Sequence, residues 1–252
     1  MARLNLHPDL YVTYETDIIW ILYHLYEHRR FQFYPLDLPH STVHTLRSCV
    51  AILNRTGELS PSECYWACQS HLVTVGTPWM KPIDRKVNIL GDKKPNQHSE
   101  PYINDWLAEY FPNARYVHIV RHPYDFVRSV PRLPNAFDLG ACYGSPGADD
   151  LEKVIAAWTY FEQRVLEEKA KERFPIYTVR FEDFTVNPGP YLGELWRFCG
   201  LTIPSELQAR IDAGDTFDVQ PGGRHTHLPA VPFSVNLPPE TVRLMELYGY
   251  AP

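Results

Sequence analysis

Short apolar runs alternate along this chain with longer segments in which apolar residues recur at helical spacing. Three runs are rich in β-branched or aromatic residues and end at glycine or polar residues, which is typical of buried strands: residues 86–90, 115–120 and 176–181. Helical spacing, or a proline or acidic pair in the first turn, predicts helices over eight segments: residues 17–28, 42–53, 64–71, 100–110, 123–130, 148–174, 191–199 and 239–247.

The order of these elements predicts an α/β fold, with a parallel central sheet flanked by helices. We expect the three strands to be neighbours in that one sheet. A chain of 252 residues with 44% hydrophobic content can bury one sizeable core, and α/β folds of this length are often one domain. The prediction is therefore a single domain over residues 1–252.

The charge of the chain limits its partners. A net charge of −6 gives no support to a nucleic-acid or anionic-membrane partner, because such binding needs a basic surface. Any anion site must then be local. No run of eighteen apolar residues occurs, and the N-terminal MARLNLHPDL lacks the apolar stretch of a signal peptide. We expect a soluble, cytoplasmic protein.

The cysteines do not form a metal-binding pattern. The five cysteines, at positions 49, 64, 68, 142 and 199, include neither a CxxC pair nor a companion histidine pair at zinc-finger spacing. Cys64 and Cys68 share a helix face, but two ligands do not make a structural zinc site. We therefore expect ordinary reduced thiols and no metal.

The second predicted strand leads directly into a candidate anion site. Arg121 follows that strand, and Pro123 starts a helix that carries Ser129. An arginine at a strand end, a serine on the next helix and free amides at the helix start are suited to an anion, most naturally a phosphate. The alternative is that Arg121 pairs with a nearby carboxylate.

Short segments along the chain resemble the sulfotransferases that use 3′-phosphoadenosine 5′-phosphosulfate (PAPS). Arg121 and Ser129, eight apart in FPNARYVHIVRHPYDFVRS, resemble the motif that binds the 3′-phosphate of PAPS. NILGDKKP places Lys93 at the family's lysine-x-proline spacing, and TVRFEDFTVNP and FCGL resemble its "YEDL" and "FLGL" segments. The resemblance implies a P-loop NTPase-like sulfotransferase fold and transfer of a sulfuryl group from PAPS to a small-molecule or peptidyl hydroxyl.

The N-terminal HPDLYVTYETD resembles the corresponding stretch of protein-tyrosine sulfotransferases, and the closing VNL…GYAP resembles the end of that subgroup. In that stretch a glutamate serves as catalytic base, and Glu15 takes its place here. Asp17 stands where the subgroup has a substrate-contacting arginine. The closest pattern is therefore that of bacterial sulfotransferases of this type, without an acidic tyrosyl peptide being implied as substrate.

The resemblance also implies roles for individual side chains. Glu15 would take the proton of the acceptor, and Lys93 would donate to the bridging or sulfuryl oxygens, with Lys94 as the less well aligned alternative. Arg132 is a further candidate for the 3′-phosphate, and Phe181 for stacking near the adenine. The ordinary alternatives are a helix-start acid for Glu15, turn lysines, an exposed arginine and a core phenylalanine.

One implied segment is not found in the sequence. The family's first strand and its "PRSGTT" loop precede the helix that ends at HPD, whereas only six residues come before His7. A strand, loop and helix take about 20–30 residues, and no GxxxxGK replaces the loop elsewhere. We expect a fold without that strand and loop, and favour a truncated sequence because Glu15 and Lys93 are retained.

Two classes of function therefore stay open. The first is a PAPS-dependent sulfotransferase, inactive as given because its loop is missing. The second is a nonenzymatic protein that retains a 3′-phosphonucleotide pocket. A nucleotide kinase is a distant third class, because it needs a Walker loop that these residues do not contain.

Overall fold

The computed structural model describes residues 2–14, 16–27, 40–56, 58–76, 82–94, 101–129, 151–217 and 237–251. The chain forms two compact units. Unit 1 comprises Met1–Ala114 and Leu192–Ala213, and unit 2 comprises Arg115–Tyr191 and Gly214–Pro252. The expectation of a single domain stays a prediction.

Strands alternate with helices along the chain, as the apolar pattern predicts. A short 3₁₀ turn, Leu4–Leu6, comes first. The elements that follow are β1 (Leu10–Tyr14), α1 (Ile18–Glu27), α2 (His40–Thr56), α3 (Pro61–Val75), β2 (Ile89–Lys93), α4 (Pro101–Tyr110), β3 (Tyr116–Val120), α5 (Pro123–Ser129), α6 (Leu151–Ala170), β4 (Ile176–Arg180), α7 (Phe181–Val186), α8 (Pro188–Phe198), α9 (Ser205–Asp212) and α10 (Pro239–Leu247).

The sheet of unit 1 is the parallel pair β1 and β2, in which Leu10 lies opposite Ile89 and Tyr14 opposite Lys93. β1 is not among the predicted strands. Its sequence, LYVTY, has only two aliphatic residues, Leu10 and Val12, and is soon followed by a helical pattern, so it does not read as an apolar run. Lys93 is the last residue of β2 and therefore lies at the carboxyl end of this pair.

β2 begins three residues later than the apolar pattern predicts, at Ile89 instead of residue 86. The preceding Asn88 is tied to Asp9 instead: its backbone N–H donates to Asp9 O, and its side-chain amide donates to Asp9 Oδ1, both at 2.9 Å. The ladder starts only after these bonds, so the polar end of the run, Asp92 and Lys93, is part of the strand.

The segment before β1 is anchored on α8. The indole N–H of Trp196, which is fully buried, donates to Leu4 O at 3.1 Å. The ring of His7 packs beside that indole, with the ring centroids 5.6 Å apart, and its Nε2 lies 3.0 Å from Thr202 O. These contacts fix where the chain enters β1.

Helices α1, α2 and α3 share a core in unit 1. Ser60 caps α3 through a capping box, in which its hydroxyl accepts from Glu63 N and its own N–H donates to the Glu63 carboxylate. The core side chains that are fully buried include Ile18, Ile21, Leu22, Cys49, Cys64, Cys68 and Leu72. Their three thiols are free.

The sheet of unit 2 is the parallel pair β3 and β4, in which Tyr116 lies opposite Ile176 and Val120 opposite Arg180. Helices α6 and α10 cover it. Its core cluster is formed by Val120, Trp158, Leu244, Met245 and Tyr250. Arg121 therefore directly follows a residue, Val120, that is fully buried in this cluster.

The predicted pairing of strands is only partly right. β3 and β4 are parallel neighbours, as expected, whereas β2 pairs with β1. Within the described residues the strands form two parallel sheets of two strands each. We had expected the three predicted strands to be neighbours in one sheet. Apolar runs locate strands, but pairing depends on contacts between residues far apart in sequence, which no local pattern contains.

Two short helices also differ from the pattern. The third predicted strand ends at Arg180, one residue early, and Phe181 begins α7. α9 was not predicted.

In the described ranges, we find no helix with the length and apolar character needed to cross a bilayer.

Candidate functional site

Arg121 and Phe181, both predicted site residues, come together at the carboxyl ends of neighbouring strands. Arg121 follows β3 and Phe181 follows β4. The guanidinium carbon of Arg121 lies 4.7 Å from the centroid of the Phe181 ring. The backbone of Arg121 is held as well, because Trp158 Nε1 donates to its carbonyl oxygen at 2.9 Å. The aromatic ring thus supports one face of the guanidinium group.

The guanidinium group of Arg121 includes a buried hydrogen-bond donor, its Nε–H. Its Nε is buried and has no hydrogen-bond partner among the described residues. A buried donor without a partner costs about 1–3 kcal/mol, and more on a charged group, so native structures rarely leave one unused. Within the same part of the chain, Arg121 also makes no ion pair with a carboxylate. This arrangement favours the anion interpretation over the carboxylate alternative.

The start of α5 is not the open set of amides that we expected. His122 caps it: its carbonyl oxygen accepts from Asp125 N and Phe126 N at 2.9 Å, and its ring Nδ1 accepts from Tyr124 N at 3.3 Å. Proline at position 123 has no N–H to offer. The expectation of free amides is therefore wrong, and among the described side chains at this turn Arg121 is the one with a buried, unpartnered N–H.

The other predicted phosphate contacts are placed less completely. Ser129 is the last residue of α5, the helix that begins two residues after Arg121, but its side chain lies outside the described part of the structure. Arg132 and Glu15 lie outside the described residues. Their roles stay predictions.

In unit 1, Lys93 and Lys94 have different surroundings. The ammonium group of Lys93 lies 4.7 Å from the centroid of the half-exposed Tyr14 ring on β1. Lys94 forms an ion pair with Asp17, whose backbone has the left-handed φ of 56°. Lys94 is therefore engaged by a buried carboxylate, and the role of Lys93 at a substrate oxygen stays a prediction.

A buried carboxyl group that the sequence patterns missed lies beside Lys93. Asp92 Oδ1 accepts from the hydroxyls of Thr13 at 2.9 Å and Thr16 at 3.0 Å, and Gln69 Nε2 donates to the Thr13 hydroxyl at 2.9 Å. Asp92 Oδ2 is buried with no partner among the described residues. Burial raises the pKa of Asp92 to about 6, although the threonine bonds oppose that rise. This network fixes Thr13 and Thr16, on either side of Tyr14 and Glu15.

Sequence reasoning could have found Asp92 by one signal. Asp92 comes two residues after the apolar run 86–90, at the carboxyl end of the predicted strand, where functional polar residues of parallel sheets gather. The threonines that satisfy it lie almost eighty residues away, so their contribution was not readable from the local pattern.

Comparison with known proteins places these features in a family context. A family model described as "Sulfotransferase family" matches residues 2–205. Among solved structures, the sulfotransferase domain from the curacin biosynthetic pathway aligns at 19% identity and a TM-score of 0.62, over 99% of this chain and 93% of that one. The sulfotransferase domain from the Synechococcus PCC 7002 olefin synthase aligns at 19% identity and a TM-score of 0.57, over 99% of this chain and 90% of that one.

At these identities the structural likeness shows the fold alone. That fold is the α/β, P-loop-like fold of sulfotransferase domains, with parallel strands and many helices, as the sequence predicts. The search of curated proteins gave no match.

Proposed function

Because the chain belongs to the sulfotransferase family, we propose that it transfers a sulfuryl group from PAPS to a hydroxyl acceptor, and that Arg121 binds the 3′-phosphate of PAPS. The observation that carries this proposal is the buried, unpartnered Nε of Arg121 at the end of β3. A phosphate oxygen would satisfy that donor, and the planar guanidinium can hold a phosphate through two parallel hydrogen bonds.

Phe181 supports the same proposal. Its ring packs against the guanidinium of Arg121 at 4.7 Å, which restricts the orientation of the charged group. Such a contact contributes about 0.5–2 kcal/mol, depending on how far the cation is desolvated. The ring takes the place of the family's usual tyrosine near the adenine, and a phenylalanine retains the stacking surface for a base.

The proposed transfer proceeds in line. The acceptor oxygen forms a bond to sulfur while the bond between sulfur and the bridging phosphate oxygen breaks, and the electron pair leaves with 3′,5′-diphosphoadenosine. Glu15 takes the acceptor proton as general base, and Lys93 donates to the oxygens on which negative charge develops. Asp92 and its threonine partners hold the backbone on both sides of Glu15. The proposed transfer uses no metal ion. The cytoplasmic location of the protein stays a prediction.

The first test is the affinity for 3′,5′-diphosphoadenosine, measured by titration calorimetry. Arg121→Ala should weaken binding by about 1.5–3 kcal/mol, the range for a hydrogen bond to a charged group, and should leave the affinity for adenosine 5′-monophosphate unchanged. Arg115→Ala, at the opposite end of β3, is the matched control and should change neither affinity. Equal affinity of wild type for nucleotides with and without the 3′-phosphate would contradict the assignment. The affinity for ATP is measured as well, because tighter binding of ATP than of 3′,5′-diphosphoadenosine would favour a nucleotide kinase.

A further inference from the structure

The main chain around Arg121 is held by two side chains of unit 2, Glu182 and Tyr250. Glu182 Oε1 accepts the amide N–H of His122 at 2.8 Å, and Glu182 Oε2 accepts the Tyr250 hydroxyl at 2.7 Å. The same hydroxyl lies 3.3 Å from Val120 O. The residues immediately before and after Arg121 are therefore both fixed by this pair.

Tyr250 reaches this position because of the way α10 ends. Gly249 has the left-handed φ of 73°, its N–H donates to Glu246 O at 3.0 Å, and Tyr250 N donates to Met245 O at 2.8 Å. This pair of bonds is a Schellman motif, which reverses the chain and turns the next residue back toward the helix. Tyr250 is consequently only 5% exposed and packs with Val120 in the core cluster.

The ring of Tyr250 is also fixed, so its hydroxyl has little freedom. The His122 ring meets it edge to face at 5.0 Å between centroids, and the Arg180 guanidinium lies 4.3 Å from its centroid. Burial and the Glu182 carboxylate raise the pKa of Tyr250, so the hydroxyl keeps its proton and donates. Glu182 thus links Tyr250 to the turn between β3 and α5.

We propose that Glu182 and Tyr250 are positioning residues, which hold this turn so that the guanidinium of Arg121 meets a 3′-phosphate. The inference rests on the proposed function, because it specifies how the phosphate contact is oriented. Bidentate recognition by arginine depends on the direction of the planar group. A small rotation of the turn would therefore weaken the contact with a 3′-phosphate, while contacts elsewhere on the nucleotide would be unaffected.

The chain offers a matched pair of tyrosines for the test. Tyr250→Phe removes only the hydroxyl that bonds Glu182, whereas Tyr248→Phe removes a hydroxyl that is also buried, in the same tail, but lies near Glu162 of α6. Glu182→Ala removes the acceptor of the His122 amide, and Glu182→Gln keeps an oxygen there. The readout is the ratio of the dissociation constants of adenosine 5′-monophosphate and 3′,5′-diphosphoadenosine, with the melting temperature recorded for each variant.

We expect Tyr250→Phe and Glu182→Ala to lower this preference for the 3′-phosphate by about tenfold, which corresponds to the loss of one hydrogen bond in a charged network. Tyr248→Phe should leave the preference unchanged, and Glu182→Gln should retain most of it. A purely structural role would weaken both nucleotides equally and lower the melting temperature without changing the ratio.

The outcomes of this experiment distinguish a failure of the positioning role from a failure of the proposed function. If wild type prefers the 3′-phosphate and Arg121→Ala abolishes that preference, while Tyr250→Phe and Glu182→Ala keep the wild-type ratio, the positioning role is overturned and the proposed function stands. A wild-type chain with no preference overturns the proposed function and this inference with it.

Discussion

Asp92 is a carboxyl group held in a buried position by two threonine hydroxyls at the end of β2. Desolvation raises its pKa to about 6, and the like charge of Asp17 adds to the rise, while the bonds from Thr13 and Thr16 act against it. Since the pKa in the folded chain lies above the ordinary value of 3.8, the protonated carboxyl favours folding. That contribution is fully present below about pH 4 and is lost as the pH rises through about 6.

The prediction for Asp92 is a pH-dependent stability that its neutral isostere removes. Asp92→Asn keeps an acceptor for the threonine hydroxyls and places an amide donor where Oδ2 has no partner. Wild type should lose on the order of 1–3 kcal/mol of unfolding free energy between about pH 4 and pH 7 relative to Asp92→Asn, measured by urea denaturation. Asp84→Asn, at an exposed position, is the control. Parallel pH profiles for wild type and Asp92→Asn would contradict this account.

At the scale of single residues, the sequence was informative for Arg121 and Phe181. Arg121 was predicted because it directly follows an apolar run, and Phe181 was predicted because the sulfotransferase resemblance implies an aromatic residue there. The structure brings the two side chains together. Glu182 and Tyr250 were not singled out, because their importance arises from a bond between residues 68 positions apart. Asp92 escaped notice for the same reason.

At the scale of elements, α8 is the support for the start of the chain. Trp196 is fully buried, donates to Leu4 O at 3.1 Å and packs against His7. Since β1 follows directly, the position of β1 depends on these contacts. The last residue of β1, Tyr14, adjoins the predicted base Glu15.

Replacing Trp196 should therefore destabilise unit 1. Trp196→Phe keeps an aromatic ring but loses the bond to Leu4 O and part of the buried volume, which together should cost about 1–3 kcal/mol. Trp66→Phe on α3, where the side chain is 45% exposed, is the matched control and should change the unfolding free energy by less than about 0.5 kcal/mol. Chemical denaturation gives both values. Equal stability of the two variants would show that the contact between α8 and the N-terminal segment contributes little.

Most elements were predictable from periodicity, and the exceptions have local causes. α10 was predicted with its observed bounds, and the helices over residues 100–110 and 123–130 were right to within one residue at each end. β1 has only two aliphatic residues, Leu10 and Val12, and α7 and α9 contain too few turns for a helical period to be recognised. The start of β2 was misplaced because the side chain of Asn88 bonds outside the ladder.

At the scale of the whole molecule, the fold class and the parallel pairing of β3 with β4 were predictable, whereas the pairing of β2 with β1 was not. The family model and the solved structures support the α/β sulfotransferase fold. The joining of β2 to β1 depends on a partner strand that the apolar pattern did not reveal.

The proposed reaction is tested most directly by the transfer of labelled sulfate from PAPS to a panel of phenols, sugars and tyrosyl peptides. The assay compares the 252-residue chain with its Lys93→Ala variant. We expect transfer to at least one acceptor by the chain and loss of that transfer in Lys93→Ala, because the proposed role of Lys93 is to donate to the oxygens on which negative charge develops. No transfer to any acceptor by a chain that still binds 3′,5′-diphosphoadenosine would contradict the proposed reaction and favour a nonenzymatic 3′-phosphonucleotide-binding protein.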